Sequence, residues 1–277
     1  MAHGFAINLL TTEQVSVMSR ASYTFQAPEL TNESYWDSWW KSVPIELVGQ
    51  RDPQHGQRGY FLKAIERHAG SLKGKSVLEI GGAFSQHLAA MARYRDVKAA
   101  IVDYSRDGID ASRRFFDAYG CEVESIHSDV FALSGRQFDL VTHWGVLEHQ
   151  VDPLPLLAKC TELARETIIF TMPEMRGFSG WLWKKLSPQN YARHVYHDDN
   201  AVFSAFNKLN WKARAFSWGQ PFFYMQTGNN RGFLHTMLYD IQAVIDKAAY
   251  LGLPYDRGMR YVSQHRGFVA KPTQDRH

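Results

Sequence analysis

The chain has 277 residues, of which 45% are hydrophobic and 14% aromatic, enough for the full core of one large domain with additions. Its formal net charge of +3 falls short of the concentrated basic face of a nucleic-acid-binding protein. No run approaches the roughly 18 apolar residues of a membrane span, and the N-terminus lacks the pattern of a signal peptide. Cys121 and Cys160 are expected to be free thiols, which fits a reducing compartment and a cytoplasmic location.

The first 72 residues are rich in aromatic side chains. Thr11 and Gln14 form a capping box that predicts a short helix through Arg20, and a second helix is predicted over residues 57–69. Between them lie six aromatic residues, namely Tyr23, Phe25, Tyr35, Trp36, Trp39 and Trp40. Packing of this segment onto the rest of the chain is the simplest explanation for them.

The most informative feature is an apolar strand that ends in an acidic, glycine-bearing turn. Residues 77–85 have the sequence VLEIGGAFS, and a helical pattern follows. A second strand over 98–102 ends in Asp103, 24 residues after Glu79. A carboxylate there can accept both ribose hydroxyls of a nucleoside that lies across the strand ends. Gly81 and Gly82 allow the backbone to approach such a ligand closely, because no Cβ intervenes.

The spacing of this turn separates two classes of cofactor. A dinucleotide fingerprint that starts at Gly81 requires further glycines at positions 83 and 86, where this chain has Ala83 and Gln86. An NAD-binding turn is therefore disfavoured. On this motif alone, an ordinary strand, turn and helix without a ligand remains an alternative.

The following segments continue to alternate strands and helices. Ser105 is a predicted N-cap and Gly120 a predicted stop for one helix, and Asp152 with Pro153 begins another. Further strands are predicted over 121–127, 137–143, 166–172, 211–218 and 259–270. This alternation predicts an α/β fold.

Several of these segments, in this order and spacing, resemble the class I S-adenosylmethionine (SAM) methyltransferases that act on small molecules. They are the turn at 77–85, whose glycine slots are Gly81, Ala83 and Ser85, together with Asp129 after the third strand and the sequence QFDLVTHWGVLEH at 137–149. The resemblance implies a doubly wound, mostly parallel seven-stranded sheet of order 3-2-1-4-5-7-6 with its last strand antiparallel. It also implies a helical lid at 1–72 and a SAM-binding core at 73–272, with insertions at about 173–200 and 219–257 that form the substrate roof.

The resemblance further implies SAM as the cofactor and assigns residues to its site. Asp103 would hold the ribose, and Asp129 would accept a hydrogen bond from the adenine amino group. The full set of expected cofactor contacts is Glu79, Gly81, Gly82, Ala83, Asp103, Tyr104, Asp129, Val130, His143, Trp144, Tyr23 and Tyr35.

Four histidines are candidates for the general base, since histidine is the natural base near neutral pH. His149 belongs to the V-L-E-H segment, where a structural hydrogen-bonding role is the alternative. His143 ends the fourth strand, where its side chain would face the acceptor. His194 and His197 precede a helix in the roof and would share one face if their segment is helical; solvated loop histidines are the alternative for both.

A metal site is the remaining interpretation of the L-E-H segment. Some quinone-pathway O-methyltransferases place a metal there, which would point to Glu148 and His149. The companion acidic ligand of that subgroup has no counterpart at Trp144 or Gly145, so we expect no metal.

The expected function is transfer of a methyl group from SAM to a hydroxyl or amine of a small molecule in a biosynthetic pathway. The expected partner is a small-molecule acceptor, with no nucleic acid and no membrane, and the protein is expected to be a monomer or homodimer. Three alternatives stay open at this point: an NAD-dependent oxidoreductase, an aminopropyltransferase, and an inactive SAM-fold module that binds a partner.

Overall fold

The computed structural model describes residues 31–42, 56–186, 188–221 and 263–273. The predicted helix that begins at Thr11, the candidate contact Tyr23 and most of the predicted insertion at 219–257 lie outside the described residues. None of the described helices is both long and apolar enough to cross a membrane.

Seven strands form one sheet. Their bounds are β1 Ser76–Ile80, β2 Lys98–Asp103, β3 Val123–His127, β4 Phe138–Trp144, β5 Ala164–Pro173, β6 Trp211–Pro221 and β7 Ser263–Pro272. The strand order is β3-β2-β1-β4-β5-β7-β6. β1 to β5 run parallel, and β7 is antiparallel to both β5 and β6. The predicted α/β fold and strand order are therefore confirmed.

Helices cover both faces of this sheet. Those described are α1 Glu33–Ser42, α2 Gly56–Ala69, α3 Gln86–Tyr94, α4 Arg106–Tyr119, α5 Pro153–Leu163, α6 Gly177–Leu186, α7 Pro188–Tyr191 and α8 Asp199–Lys208. Two short 3-10 turns, Val130–Ala132 and Leu147–His149, follow β3 and β4.

Local sequence explains where several helices begin and end. The Ser105 hydroxyl accepts a hydrogen bond from Gly108 N at 3.0 Å at the start of α4, and Asp152 caps α5 through Leu154 N at 2.9 Å. Each such cap contributes about 1 kcal/mol. At the other end of α4, Gly120 takes a left-handed φ of 60°, a conformation that favours glycine.

The core has two layers because successive strand residues point to opposite faces of the sheet. Val77 of β1 packs with side chains of α2, α3 and α4, whereas Leu78 packs with side chains of α5 and α8. α2 contributes Phe61 and Ile65, which are fully buried, to the first layer. The proposed division of the chain at residue 72 stays a prediction.

The carboxyl ends of β1, β2 and β4 meet at one edge of the sheet, and connections leave β1 and β4 in opposite directions along it. In open α/β sheets, ligands bind at such a switch point. α1 packs against α4 and contacts residues at this edge. The fold therefore brings the predicted acidic turn, the end of β4 and the aromatic helix α1 together.

Candidate active site

The turn after β1 brings the backbone close to neighbouring side chains. Gly81 has φ 59° and Gly82 has φ 141°, both in the region that favours glycine. A Cβ at position 82 would lie 2.8 Å from Glu79 Oε1, and a Cβ at position 81 would lie 2.9 Å from Val146 Cγ2. Backbone conformation and space therefore both require glycine here.

Asp103, at the end of β2, faces this turn. Gly82 N donates to Asp103 Oδ2 at 3.3 Å, and Ser105 N donates to Oδ1 at 2.8 Å. Burial raises the pKa of Asp103 to about 6, although these two hydrogen bonds lower it. The carboxylate is thus ionised at neutral pH and can act as an acceptor.

The other predicted cofactor residues around β1 to β3 have varied surroundings. Ala83 is buried in the first core layer. Tyr104 is half-buried, and its carbonyl oxygen is 3.0 Å from His127 Nε2. Asp129 is exposed and accepts a hydrogen bond from Phe131 N at 2.9 Å, so one of its oxygens caps the turn after β3. Val130 is half-buried against the second layer. The cofactor contacts of these residues stay predictions.

His143 and Trp144 end β4 on opposite faces of the sheet. His143 is fully buried and stacks on Phe170 with ring centroids 4.5 Å apart. Neither of its ring nitrogens has a hydrogen-bond partner among the described residues, and burial lowers its pKa to about 3. Trp144 lies on the face of Glu79 and packs edge-on against Phe61 at 5.4 Å. His143 faces the second core layer because side chains alternate between the two faces of a strand. Its ring is therefore buried and neutral at pH 7.

α1 contacts the turn after β1 and the start of α4. Asp37 Oδ1 accepts a hydrogen bond from the Ser105 hydroxyl at 2.6 Å. Trp40 packs edge-on against Phe84 in the turn, with centroids 5.5 Å apart. The same helix therefore contacts both the turn after β1 and the start of α4.

α1 also reaches the far side of the edge. Trp36 meets His149 edge-on with centroids 5.3 Å apart. The Arg193 guanidinium carbon lies 4.8 Å from the centre of the Tyr35 ring, and Nη1 donates to the Tyr35 hydroxyl at 3.2 Å. Tyr35 thus contacts Arg193 of the predicted roof. A contact between Tyr35 and the cofactor stays a prediction.

The segment 193–197 is tied to the turn after β4 by three sets of hydrogen bonds. Val195 N donates to the carbonyl of Glu148 at 2.7 Å. His149 Nδ1 lies 3.2 Å from the carbonyl of Arg193. His197 Nε2 lies 3.2 Å from the carbonyl of Leu147 and 2.9 Å from that of Gln150. These contacts bring two segments together that are distant in the chain.

His194 and His197 do not share a helical face, because α7 ends at Tyr191 and the residues that follow are not helical. The condition for a shared face, a helical segment, is therefore not met. His197 is buried and anchors the turn after β4 through its two carbonyl contacts. His194 instead packs against His149, with ring centroids 4.6 Å apart.

The hydrogen bonds of His149 and His194 define their tautomers. His194 Nδ1 lies 2.8 Å from the carbonyl of Asn190, and a carbonyl oxygen only accepts. Both rings therefore carry their proton on Nδ1 and the lone pair on Nε2. Burial lowers the pKa of His149 to about 3 and also lowers that of His194. Both imidazoles are neutral at pH 7.

Glu148 completes this cluster. Burial raises its pKa to about 8, and its Oε2 atom has no hydrogen-bond partner within the part of the chain that the structure describes. One ligand atom from each of Glu148, His149 and His194 lies within 4.8 Å of the others, so the three residues are able to hold a metal ion. The expectation that no metal binds stays a prediction.

The residues at the turn fit SAM on two independent grounds. Glu79 is fully buried, and its Oε1 atom lacks a hydrogen-bond partner among the described residues, which suits a cationic donor. Asp103 is an ionised acceptor next to Gly82, which suits the hydroxyls of the ribose. Glu79, Gly81, Gly82 and Asp103 are therefore the residues that would hold the amino acid and ribose parts of SAM.

Sequence reasoning missed three residues at this edge. His87 contacts Glu79, Asp37 contacts Ser105, and Trp36 contacts His149. The sequence carried a partial signal only for Trp36, as one of the aromatic cluster. Ser85 stands in a glycine slot of the predicted motif, and its hydroxyl donates to Glu79 and accepts from Leu88 N.

Comparison with known proteins supplies a family. A family model described as a methyltransferase domain matches residues 54–212. A ubiquinone biosynthesis O-methyltransferase from Aromatoleum aromaticum is 28% identical over 54% of this chain and 63% of its own length. The ubiquinone biosynthesis O-methyltransferase from Histophilus somni is 25% identical over 64% of this chain and 77% of its own length.

Solved structures share the fold at low sequence identity. Magnesium protoporphyrin IX methyltransferase from Synechocystis, with bound SAH, superposes with a TM-score of 0.54 at 13% identity, over 87% of this chain and 99% of its own. Coclaurine N-methyltransferase, bound to N-methylheliamine and SAH, gives a TM-score of 0.58 at 13% identity, over 94% of this chain and 88% of its own.

Proposed function

We propose that this chain, which belongs to the class I SAM-dependent methyltransferases, transfers the methyl group of SAM to a hydroxyl oxygen of a small aromatic molecule. The observation that carries the proposal is the pair of neutral imidazoles, His149 and His194, held in contact after β4. A neutral imidazole with its lone pair on Nε2 can take up the proton that a hydroxyl loses when its oxygen is methylated. Of the two rings, His149 is the weaker base, because burial lowers its pKa to about 3.

The segment that leads into His149 passes next to the turn that would hold the cofactor. Val146, whose Cγ2 lies 2.9 Å from the position of a Cβ at Gly81, is two residues from Glu148. Glu148 Oε1 in turn lies 3.5 Å from the position of a Cβ at Gly145. A short stretch of chain therefore links the methyl donor's turn to the proton acceptors.

Bound SAM supplies a methyl group that is already activated by the sulfonium, so the protein has little covalent work to do. Asp103 would orient the ribose, and Glu79 the amino acid end. Holding two reactants in line in this way can supply several kcal/mol of the barrier, up to roughly 7 to 11 in the best cases. A positioned base adds about 10²- to 10⁴-fold.

α1 supports the reaction by covering the edge of the sheet. Asp37 connects it to the cofactor side and Trp36 to the acceptor side. Exclusion of water prevents hydrolysis and leaves the attacking oxygen poorly solvated. A lid role for α1 follows from these contacts.

Aromatic rings around the imidazole pair favour an aromatic acceptor. Trp36 contacts His149, and Trp183 meets His194 edge-on with centroids 4.7 Å apart. Such rings suit a flat, apolar acceptor with a few polar groups. The relatives named as O-methyltransferases support oxygen as the atom that is methylated. A cytoplasmic location and a monomeric or homodimeric state remain parts of this proposal.

The test is methyl transfer from isotopically labelled SAM to a panel of small phenols and catechols, with the matching anilines as nitrogen acceptors. We expect labelled methyl ethers, identified by mass spectrometry. Methylation of the anilines alone would overturn the choice of oxygen. Binding of SAM with no transfer to any member of the panel would contradict an aromatic acceptor and would favour an inactive binding module.

A further inference from the structure

A buried network of three side chains lies beneath the cofactor turn. Ser85 Oγ donates a hydrogen bond to Glu79 Oε2, and His87 Nε2 lies 3.1 Å from the same oxygen. At most 1% of each of these three residues is exposed. Ser85 also accepts from Leu88 N at 3.1 Å, which caps α3 and fixes the hydroxyl.

The network makes the two oxygens of Glu79 unequal. Oε2 accepts a hydrogen bond from Ser85 and lies close to His87 Nε2, whereas Oε1 accepts no hydrogen bond from the described residues. Oε1 lies directly under the turn, 2.8 Å from the position that a Cβ at Gly82 would occupy. A buried charged acceptor without a partner is costly, and a cationic donor that reaches it removes that cost.

SAM offers two different groups to the two carboxylates at this edge. Its ribose offers hydroxyls, which suit Asp103 at the end of β2. Its amino acid end offers an ammonium with three N–H donors and a positive charge, which suits the free oxygen of Glu79. The adjacent Gly82 N is 3.3 Å from Asp103 Oδ2, so the two carboxylates flank the same residue.

We infer that Ser85 and His87 are positioning residues, which hold Glu79 so that its Oε1 atom accepts a hydrogen bond from the ammonium of SAM. This inference rests on SAM as the cofactor and is independent of the acceptor. His87 Nε2 contacts Oε2 at 3.1 Å, and its ring is fixed edge-on against Phe61 at a centroid distance of 5.0 Å and near Trp144 at 6.0 Å. Without the contacts of Ser85 and His87, the carboxylate can rotate and lose its orientation towards the turn.

The inference is tested with two ligands that differ in the amino acid part. SAH and 5′-methylthioadenosine both contain adenosine with an uncharged thioether sulfur. Only SAH also carries the ammonium and carboxylate of the amino acid part. His87→Phe keeps an aromatic ring between Phe61 and Trp144 but cannot donate to Glu79. By calorimetry we expect it to weaken SAH binding about tenfold or more, as for a lost hydrogen bond to a charged group, and to leave 5′-methylthioadenosine binding within about twofold.

Two further variants separate positioning from a general structural effect. His87→Gln, whose amide can donate to Oε2, is expected to recover part of the SAH affinity. Asp103→Ala is expected to weaken both ligands alike, because both contain the ribose. Equal weakening of both ligands by His87→Phe, or unchanged SAH binding, would overturn the inference.

Ser85→Ala gives a second route if His87→Phe does not fold. It removes the other donor to Oε2, so it is also expected to weaken SAH more than 5′-methylthioadenosine, and equal effects on the two would again overturn the inference. A wild-type protein that binds neither SAH nor 5′-methylthioadenosine would also overturn the inference. No acceptor takes part, so a failure here is distinguishable from a failure of the proposed aromatic hydroxyl.

Discussion

Two regions of the active edge differ in the charge of their ionisable side chains. We call the region of Glu79 and Asp103 the cofactor side, and the region of Glu148, His149 and His194 the acceptor side. On the cofactor side, Glu79 and Asp103 are carboxylates at the ends of neighbouring strands, and each is held by hydrogen-bond donors. On the acceptor side, burial raises the pKa of Glu148 to about 8 and lowers that of His149 to about 3, so both are neutral at pH 7. Asp103 is therefore ionised at neutral pH, whereas Glu148 and His149 are both neutral.

The largest expected effect breaks the acceptor side alone. Replacement of both His149 and His194 by Gln should lower kcat by about 10²- to 10⁴-fold, because no neutral imidazole is left to accept the proton. The Kd for SAM should stay unchanged, since neither residue contacts the turn after β1. Steady-state kinetics and calorimetry on the same sample test this. A proportional loss of SAM affinity would show that the two sides are not separable.

The converse change breaks the cofactor side. Asp103→Ala should weaken SAM binding about 100-fold, because two hydrogen bonds to a charged acceptor are lost. Calorimetry measures the affinity, and circular dichroism with thermal melting checks that the variant is folded. Asp117→Ala, at an exposed position near the end of α4, is the matched control. SAM affinity that survives Asp103→Ala would contradict the assigned ribose contact.

A pH series sharpens the contrast in charge. The pKa of Asp103 is raised to about 6, so SAM affinity should fall below pH 6, approaching tenfold per pH unit if only the ionised carboxylate binds. Asp103→Asn should bind weakly with no such dependence. A wild-type affinity that is constant between pH 7 and pH 5 would contradict this expectation.

The same carboxyl group affects stability in the opposite direction. Its folded pKa lies above its ordinary value of 3.8, so the folded state binds this proton more tightly than the unfolded state does. The contribution to stability is therefore complete below pH 3.8 and is lost as the pH rises through about 6. Ionised Asp103 costs stability at the pH where it would bind ribose.

A smaller effect is expected where α1 joins the two sides. Asp37→Ala removes the acceptor for the Ser105 hydroxyl, which should raise the Kd for SAM by about two- to tenfold. Amide hydrogen exchange over residues 33–42 should become faster, because the helix is less firmly held. Unchanged exchange would show that the contacts of Trp36 and Trp40 suffice to hold α1.

The smallest expected effect concerns metal. EDTA should leave the rate of methyl transfer unchanged, because Trp144 and Gly145 stand where the companion acidic ligand of the metal-binding subgroup would be. Loss of activity that is restored by a divalent cation would identify the cluster as a metal site and would replace the role assigned to the imidazoles.

Local sequence predicted the backbone elements that form the turn after β1 and the end of β2. The strand, the acidic turn and the next strand lie within 27 residues, from Val77 to Asp103, and Gly81 and Gly82 have the conformations that a close ligand approach requires. The strand order followed from the family resemblance rather than from local pattern. These features were predictable because strand period, turn chemistry and helix caps act over a few residues.

Tertiary structure decided the roles of individual polar side chains. His149 and His194, 45 residues apart in the chain, meet only because segment 193–197 bonds to the turn after β4. Asp37 accepts a hydrogen bond from the Ser105 hydroxyl only because α1 packs against α4, 68 residues away along the chain. Desolvation and through-space partners depend on segments that are distant in sequence, so protonation states and side-chain orientations emerge only when the whole sheet is assembled.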